Sequence, residues 1–383
     1  MRHILTVGTI VVLFFAFHFE RDAAPAESTP SALPQAAGAL GAAMQGWQAE
    51  WEKTRLAAKA EGKVVIYTTA GPEIRTAFTK AVKEKHGIDL EFVTGKGIEL
   101  VTKVLNERRA GLFLGDVYIS GGTSTLVSLV PQGVMDVITA EFVLPEVGDA
   151  SKWYGGELPY VDVERRLLGF RGSVFWSFTT NTTLVKKDEL VSYKDVLKPA
   201  FKGKIAMGDP TIEGASNTFV TLASAYLMGP DYIKELVKQE PFISRDERLL
   251  TEWVARGKYS VLIGTKPDPI AEFLKAGASL LPIIPKEGSM IEPGSGTVSV
   301  INKRPHPNAT KVFINWLLSK DGQTVYAEAA GIESAREDVS KAHLGAGLVR
   351  EPGKKYIFGG DEFRKTAEKT LQQTKEDFQS LLK

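Results

Sequence analysis

Cysteine is absent from this sequence. Disulfides, thiolate nucleophiles, cysteine-ligated zinc and lipoprotein acylation are therefore excluded. Histidine is scarce: the five are His3, His18, His86, His306 and His343. The first two lie in or beside an N-terminal apolar segment. His86 precedes a helix-ending glycine and His306 sits between prolines, so these two and His343 read as surface or capping positions. An excess of one charge is missing too. Lys and Arg total 47 against 46 Asp and Glu, a net charge of +1, which offers no basic face to nucleic acid. There is no HExxH, no GxSxG, no P-loop and no dinucleotide glycine motif after a strand. No nucleophile, base and orienting group come together in the sequence. The expectation is a protein that is not an enzyme and that needs no cofactor or metal.

Only one long hydrophobic run occurs, at residues 4–19 after Arg2 and His3. It is shorter than the ~20 residues a spanning helix usually needs. Ala24, Pro25 and Ala26 follow with the small-residue spacing that a signal peptidase reads. Residues 1–26 are expected to be an export signal or an uncleaved anchor, which places the protein in the periplasm. Residues 27–46, rich in Ala, Gly and Pro, are expected to form a flexible tether. Trp47, Trp51, Arg55 and Ala58 then recur at helical spacing, and Gly62 stops that helix.

What the chain has in quantity is an alternation of short apolar strands, polar turns and amphipathic helices. Strands are expected at residues 64–67, 90–93 and 116–119, with helices between them, the first opening on Pro72. This alternation predicts an α/β fold with mostly parallel sheets flanked by helices. The turns after the strands carry Thr68 and Thr69, then residues 94–97, then Gly121, Gly122 and Thr123. The carboxyl edge of an open α/β sheet is where ligands bind, and hydroxyls and glycines there suit an oxyanion held by neutral donors.

Residues 169–180 are extended and aromatic and are expected to be a crossover strand. Trp176 within it is either a ligand platform or packing between domains. A second strand-and-helix domain follows. Its organising stretch is residues 204–227: a strand, a turn through Asp209, Thr211 and Glu213, then Gly214, Ala215 and Ser216 leading into an apolar helix. Such a turn aims free backbone N–H groups outward at the positive end of the helix. Two further polar patches contain Arg245 and Thr265. Arg245 is the cation of most interest, because guanidinium pairs bidentately with carboxylate or phosphonate. A strand at 297–301 is expected to return to the first domain, Asn308 to cap the next helix, and residues 363–382 to form a final amphipathic helix across the outer surface.

The segments VVIYTTAGPE, YKDVLKPAFKGKIAMGDPTIEGAS and RPHPNATKVFINWLLSKDGQTVYAEAAG, in this order, resemble the periplasmic solute-binding proteins of ABC importers. The branch in question includes binders of ferric ion, phosphonates, sugar phosphates and other small anions. The resemblance spans about residues 62–330. It implies a type II two-lobed fold, with residues 47–178 plus 290–383 as one lobe, 179–289 as the other, and two crossover strands as the hinge. It implies capture of a small anionic or polar solute between the lobes and delivery to membrane permease subunits, by a monomer. By position it puts the first-lobe ligand loop on Thr68 and Thr69 and the second-lobe anion loop on Glu213, Gly214 and Ala215. Ferric members carry adjacent tyrosines where this chain has Lys266, Pro267 and Asp268, and no adjacent tyrosine pair occurs anywhere here. A ferric-ion binder with a synergistic anion, and a transferase-like enzyme on the same fold, are the alternatives.

Overall fold

The computed structural model describes residues 32–344 and 349–381. The expected export segment lies outside them. The chain divides into two compact units, Met1–Gly46 and Trp47–Lys383. The expected tether is helical where it is described: helix α1 spans Ala32–Glu61. Its alanines are the strongest helix formers and outweigh the interspersed glycines. Gly62, at φ +76°, stops the helix as expected.

Strand β1 (Lys63–Thr68) leads to helix α2 (Pro72–His86), strand β2 (Asp89–Thr94), helix α3 (Gly97–Arg109), and strands β3 (Val117–Ser120) and β4 (Met135–Asp136). Each β-to-α step is a short polar turn, and Pro72 sits at the first turn of α2, where its missing N–H costs nothing. The single crossover strand expected at 169–180 is instead three short strands: β5 (Leu167–Gly169), β6 (Ser173–Val174) and β7 (Phe178–Asn181). They belong to three different sheets. An apolar aromatic run looks alike in any buried strand, so its composition hid the two breaks. The second half adds β8 (Ile205–Gly208), β9 (Phe242–Ser244), β10 (Val261–Ile263), β11 (Leu280–Ile283), β12 (Ser289–Glu292), β13 (Thr297–Ile301) and β14 (Tyr356–Phe358).

The first sheet runs β2-β1-β3-β13-β4, with β5 beside β13. The second runs β11-β7-β10-β8-β9, and a small third sheet runs β14-β12-β6. Each large sheet is mixed rather than mostly parallel. In the first, β1 is parallel to β2 and β3, while β13 is antiparallel to β3, β4 and β5. In the second, β8 is parallel to β9 and β10, while β7 is antiparallel to β10 and β11. The antiparallel members are the strands through which the chain enters or returns. Strand β13 does rejoin the first sheet, as the sequence indicated.

Two main apolar cores follow the two large sheets. The first gathers Val64, Ile66, Phe78, Val117, Val298, Phe313 and Trp316. The second gathers Phe178, Tyr193, Ile205, Phe219, Val261 and also Phe363 and Phe378. The C-terminal helix Asp361–Phe378 packs on helices Ala215–Thr221 and Asp231–Val237 of the second core, while Asp361 N at its start donates to Val161 O. Asp116, fully buried, ties the first core together. Its carboxylate accepts from Val65 N and His306 N and lies 2.8 Å from His306 Nδ1. His306, not Asn308, is the cap residue of helix Pro307–Leu318. Asn308 is inside the helix, where its backbone N and Nδ2 donate to Glu61 Oε1.

Candidate functional site

Parallel pairing decides which turns share an edge. Thr68 is level with Thr94 and with Ile119 across the sheet. The turns after β1, β2 and β3 therefore meet at one carboxyl edge. Contacts confirm this neighbourhood: a Cβ on Gly97 would lie 3.5 Å from Ser124 Oγ. Thr68, Thr69, Gly121, Gly122 and Thr123 are thus brought together. The Thr68 hydroxyl is buried and accepts from Ala70 N, which shapes the turn. Thr69 N donates to Ile119 O, while its hydroxyl oxygen is enclosed with no hydrogen-bond partner. Gly122 is pressed against Thr297 and Val161, and Thr123 is exposed. A cavity of about 20 Å³ beside Thr68 is lined by Ala70, Arg75, Phe170, Ser295 and Tyr326 among others. It has room for about one water.

The second sheet repeats the arrangement. Met207 is level with Ile263, and Gly208 with Ser244, so the turns after β8, β9 and β10 form a second carboxyl edge. It carries Thr211, Gly214, Ala215, Ser216, Arg245 and Thr265. Helix Ala215–Thr221 starts behind Gly214, whose φ is +154° and whose surroundings are open. Glycine is required at such a φ. The packing behind this turn is tight. A Cβ on Gly208 would lie 2.3 Å from Ser216 Oγ, and one on Gly264 2.5 Å from Ser216 Cα.

Several expected donors are already committed. Ser216 Oγ donates to Gly264 O at 2.6 Å, so this hydroxyl braces the turn and has no proton left for a solute. Thr211 Oγ1 and N both bond Asp209 Oδ1, and Arg245 Nε donates to Asp209 Oδ2 at 2.9 Å. Arg245 is thus a paired cation, although its side chain is 73% exposed. Burial pushes the Asp209 carboxyl up, but the hydrogen bonds from Thr211 and Arg245 outweigh it and hold its pKa below the ordinary value. Trp176 is 8% exposed and packs in an apolar cluster with Ala206, Leu250, Val254 and Leu262. This cluster lies against the second sheet, a packing role that neither sequence reading of Trp176 anticipated. Thr265 is buried at the end of β10. The backbone N–H of Lys266 donates to Glu247, and helix Pro267–Lys275 starts directly after it.

Other residues were not singled out in the sequence. Asn217 is 4% exposed and its Nδ2 has no hydrogen-bond partner; its place one residue past Ser216 was the available signal. Arg75, in the first turn of α2, lines the cavity beside Thr68 and makes no ion pair among the described residues. His86 also departs from expectation. It is 7% exposed, both ring nitrogens lack partners, and Trp51 meets it edge-on. No hydrogen bond or ion pair among the described residues joins Thr68, Thr69 and 121–123 to the second-sheet edge. Among the described residues no group of acidic, histidine or cysteine side chains is placed to hold a metal ion, and no helix is long and apolar enough to cross a membrane.

Comparison with known proteins gives the same outline. Residues 66–324 match the family described as bacterial extracellular solute-binding protein. An uncharacterized protein of Haemophilus influenzae is 24% identical over 278 residues, 70% of this chain and 75% of its own length. The periplasmic binding protein AfuA of Actinobacillus pleuropneumoniae, solved with fructose-6-phosphate, superposes with a TM-score of 0.54 at 21% identity, over 82% of this chain and 99% of that one. The Trichodesmium protein IdiA (FutA), solved with iron and citrate, gives 0.60 at 16% identity, over 84% and 99%.

Proposed function

Because this chain belongs to the bacterial extracellular solute-binding protein family, we propose that its solute is a small anion held between the two carboxyl edges, in the periplasm, by a monomer. The protein works as the solute-binding component of an ABC importer and hands its cargo to permease subunits. The observation that carries the choice of site is the register. Two separate sheets each gather three strand-end turns at one edge, and the chain passes between the sheets through β5–β7 and again through β11–β13.

Two linked edges form a hinge pair. A solute that touches both shifts the population to the closed state by as much as its contacts differ between open and closed. On the first edge the donors are the backbone N–H groups of Gly121–Thr123, with the enclosed, unpartnered Thr69 hydroxyl beside them. On the second they are the backbone N–H groups behind Gly214 and the free guanidinium nitrogens of Arg245. Ser216, Thr211 and Trp176 hold the second edge in shape. The cavity beside Thr68 has room for about one water and is too small for a solute. That AfuA binds a sugar phosphate and IdiA iron with citrate supports an anion as the common element. The absence of an adjacent tyrosine pair favours the organic anion over bare ferric ion. Binding without chemical change is the reading that suits a site with no assembled nucleophile and base.

The test is a thermal-shift screen of organic acids, sugar phosphates, phosphonates and ferric citrate. A ligand present at a hundredfold its Kd stabilises by about 2.7 kcal/mol, so at least one organic anion is expected to raise the melting temperature by several degrees. Thr69→Val combined with Gly214→Ala is expected to abolish that rise. A screen in which only neutral sugars or cations shift the midpoint contradicts the anion assignment.

A further inference from the structure

The two passages between the sheets bring together residues more than a hundred positions apart. Arg171 lies between β5 and β6 on the outward passage, and Glu292 ends β12 on the return. Glu292 pairs across the strands with Ser173, and Arg171 Nε donates to Ser173 Oγ at 2.6 Å. Residues two apart on an extended strand share a face. Arg171, Ser173 and Glu292 therefore lie on one face of the hinge ribbon.

The stem of Arg171 is fixed while its head is not used up. Gly294 and Gly296 make room for it: a Cβ on Gly296 would sit 2.4 Å from Arg171 Cβ, and one on Gly294 3.2 Å from Nη1. Behind it, Arg171 bridges to Ser334, and Gly172 packs on the Ser334 backbone. Yet neither Arg171 nor Glu292 makes an ion pair among the described residues. Glu292 is half-buried; burial raises its pKa and the Arg171 charge opposes this. The two charges thus feel one another without touching. Phe170 and Ser295, the neighbours of Arg171 and Gly294, line the cavity beside Thr68. The pair is therefore adjacent to the first carboxyl edge.

We propose that Arg171 and Glu292 form the floor of the solute site and select a hydroxylated anion, with the charged group of the solute on the Arg171 guanidinium and a solute hydroxyl donating to Glu292. The assignment rests on the interlobe reading above and sharpens it. The planar guanidinium offers two Nη groups to a carboxylate or phosphate. A carboxylate that only accepts rewards a ligand with a donor and repels one that brings a second anion there. An anion lacking the hydroxyl leaves Glu292 desolvated and unpaired, which is where discrimination is large.

Titration calorimetry with three matched pairs tests this: citrate against tricarballylate, malate against succinate, and glycerol phosphate against propyl phosphate. In at least one pair the hydroxylated member is expected to bind about tenfold or more tightly than its partner. Glu292→Gln is expected to shrink that preference severalfold, and Arg171→Met to weaken both members by about a hundredfold. The melting temperature of each unliganded variant serves as the check that it has folded. Equal binding within every pair, no binding of any of the six to the wild type, or a folded Arg171→Met that binds like the wild type overturns the proposal. The interlobe reading falls separately, if the wider screen finds no anion whose binding the Thr69 and Gly214 substitutions weaken.

Discussion

Gly264→Ala is expected to destabilise the protein by about 2–5 kcal/mol, although it adds a single methyl group. Gly264 has φ +63°, a conformation that costs a residue with a Cβ roughly 1–2 kcal/mol. The new methyl would also stand 2.5 Å from Ser216 Cα and 2.9 Å from Ser216 Cβ. The Cα is backbone, so the obstruction cannot rotate away, and forcing a methyl into a packed site costs about 1–3 kcal/mol more. The change also pushes apart the bond from Ser216 Oγ to Gly264 O that fixes the turn after β8, so solute affinity falls together with stability. Gly203→Ala is the internal control. Its φ is +70°, but no atom lies within 4 Å of the added Cβ, so only the conformational cost of about 1–2 kcal/mol remains. Urea unfolding of the two variants, with a difference of 1 kcal/mol or more between them, is the expected result.

Acid is expected to weaken the fold through His86. Burial is the main cause that lowers its pKa, and the charges of Lys85 and Arg55 add to it against the opposing pull of Asp321; the result is about 4. The unfolded chain binds a proton at this residue near pH 6.5, so between pH 6.5 and 4 the unfolded state holds more protons than the folded one. Stability is then full above pH 6.5, falls as the pH drops through that window, and has lost about 3 kcal/mol from this residue by pH 4. The surroundings offer no rescue. Trp51, Arg55, Lys85, Glu146, Trp316 and Asp321 line the space around His86, but Asp321 is bonded to Lys85 and Trp316, and Glu146 to Arg336. Buried Asp116 and Glu141 have raised pKa values, both mainly through burial, and act in the opposite sense on acidification. The comparison is therefore between wild type and His86→Leu. Unfolding free energies at pH 7 and pH 4.5 are expected to fall further in the wild type, and equal slopes would place the acid sensitivity elsewhere.

The strands of the first sheet were legible because short apolar runs bounded by glycine and hydroxyl turns have few other uses. Expected strands at 64–67, 90–93 and 116–119 lie within a residue or two of β1, β2 and β3. The edge positions of Thr68, Gly122 and Gly214 followed from the same pattern. What did not follow was commitment. Whether Ser216 or Arg245 is free depends on Gly264 O and Asp209, and no local pattern states that such partners come within 3 Å. Trp176 looked the same to the sequence in a cleft or in a core. The Arg171–Glu292 pair was out of reach for another reason: it exists only because two passages far apart in sequence pair side by side. His86 was misplaced because a histidine before a helix-ending glycine is ordinarily exposed, and here α1 brings Trp51 over it.

Small-angle X-ray scattering of the protein, with and without the organic anion that raises its melting temperature most, tests the two-edge site directly. The expected result is a smaller radius of gyration at saturation, with the change lost in the Thr69→Val, Gly214→Ala double variant. A solute that binds tightly while the wild-type scattering curve stays unchanged would contradict closure of two lobes around a shared ligand.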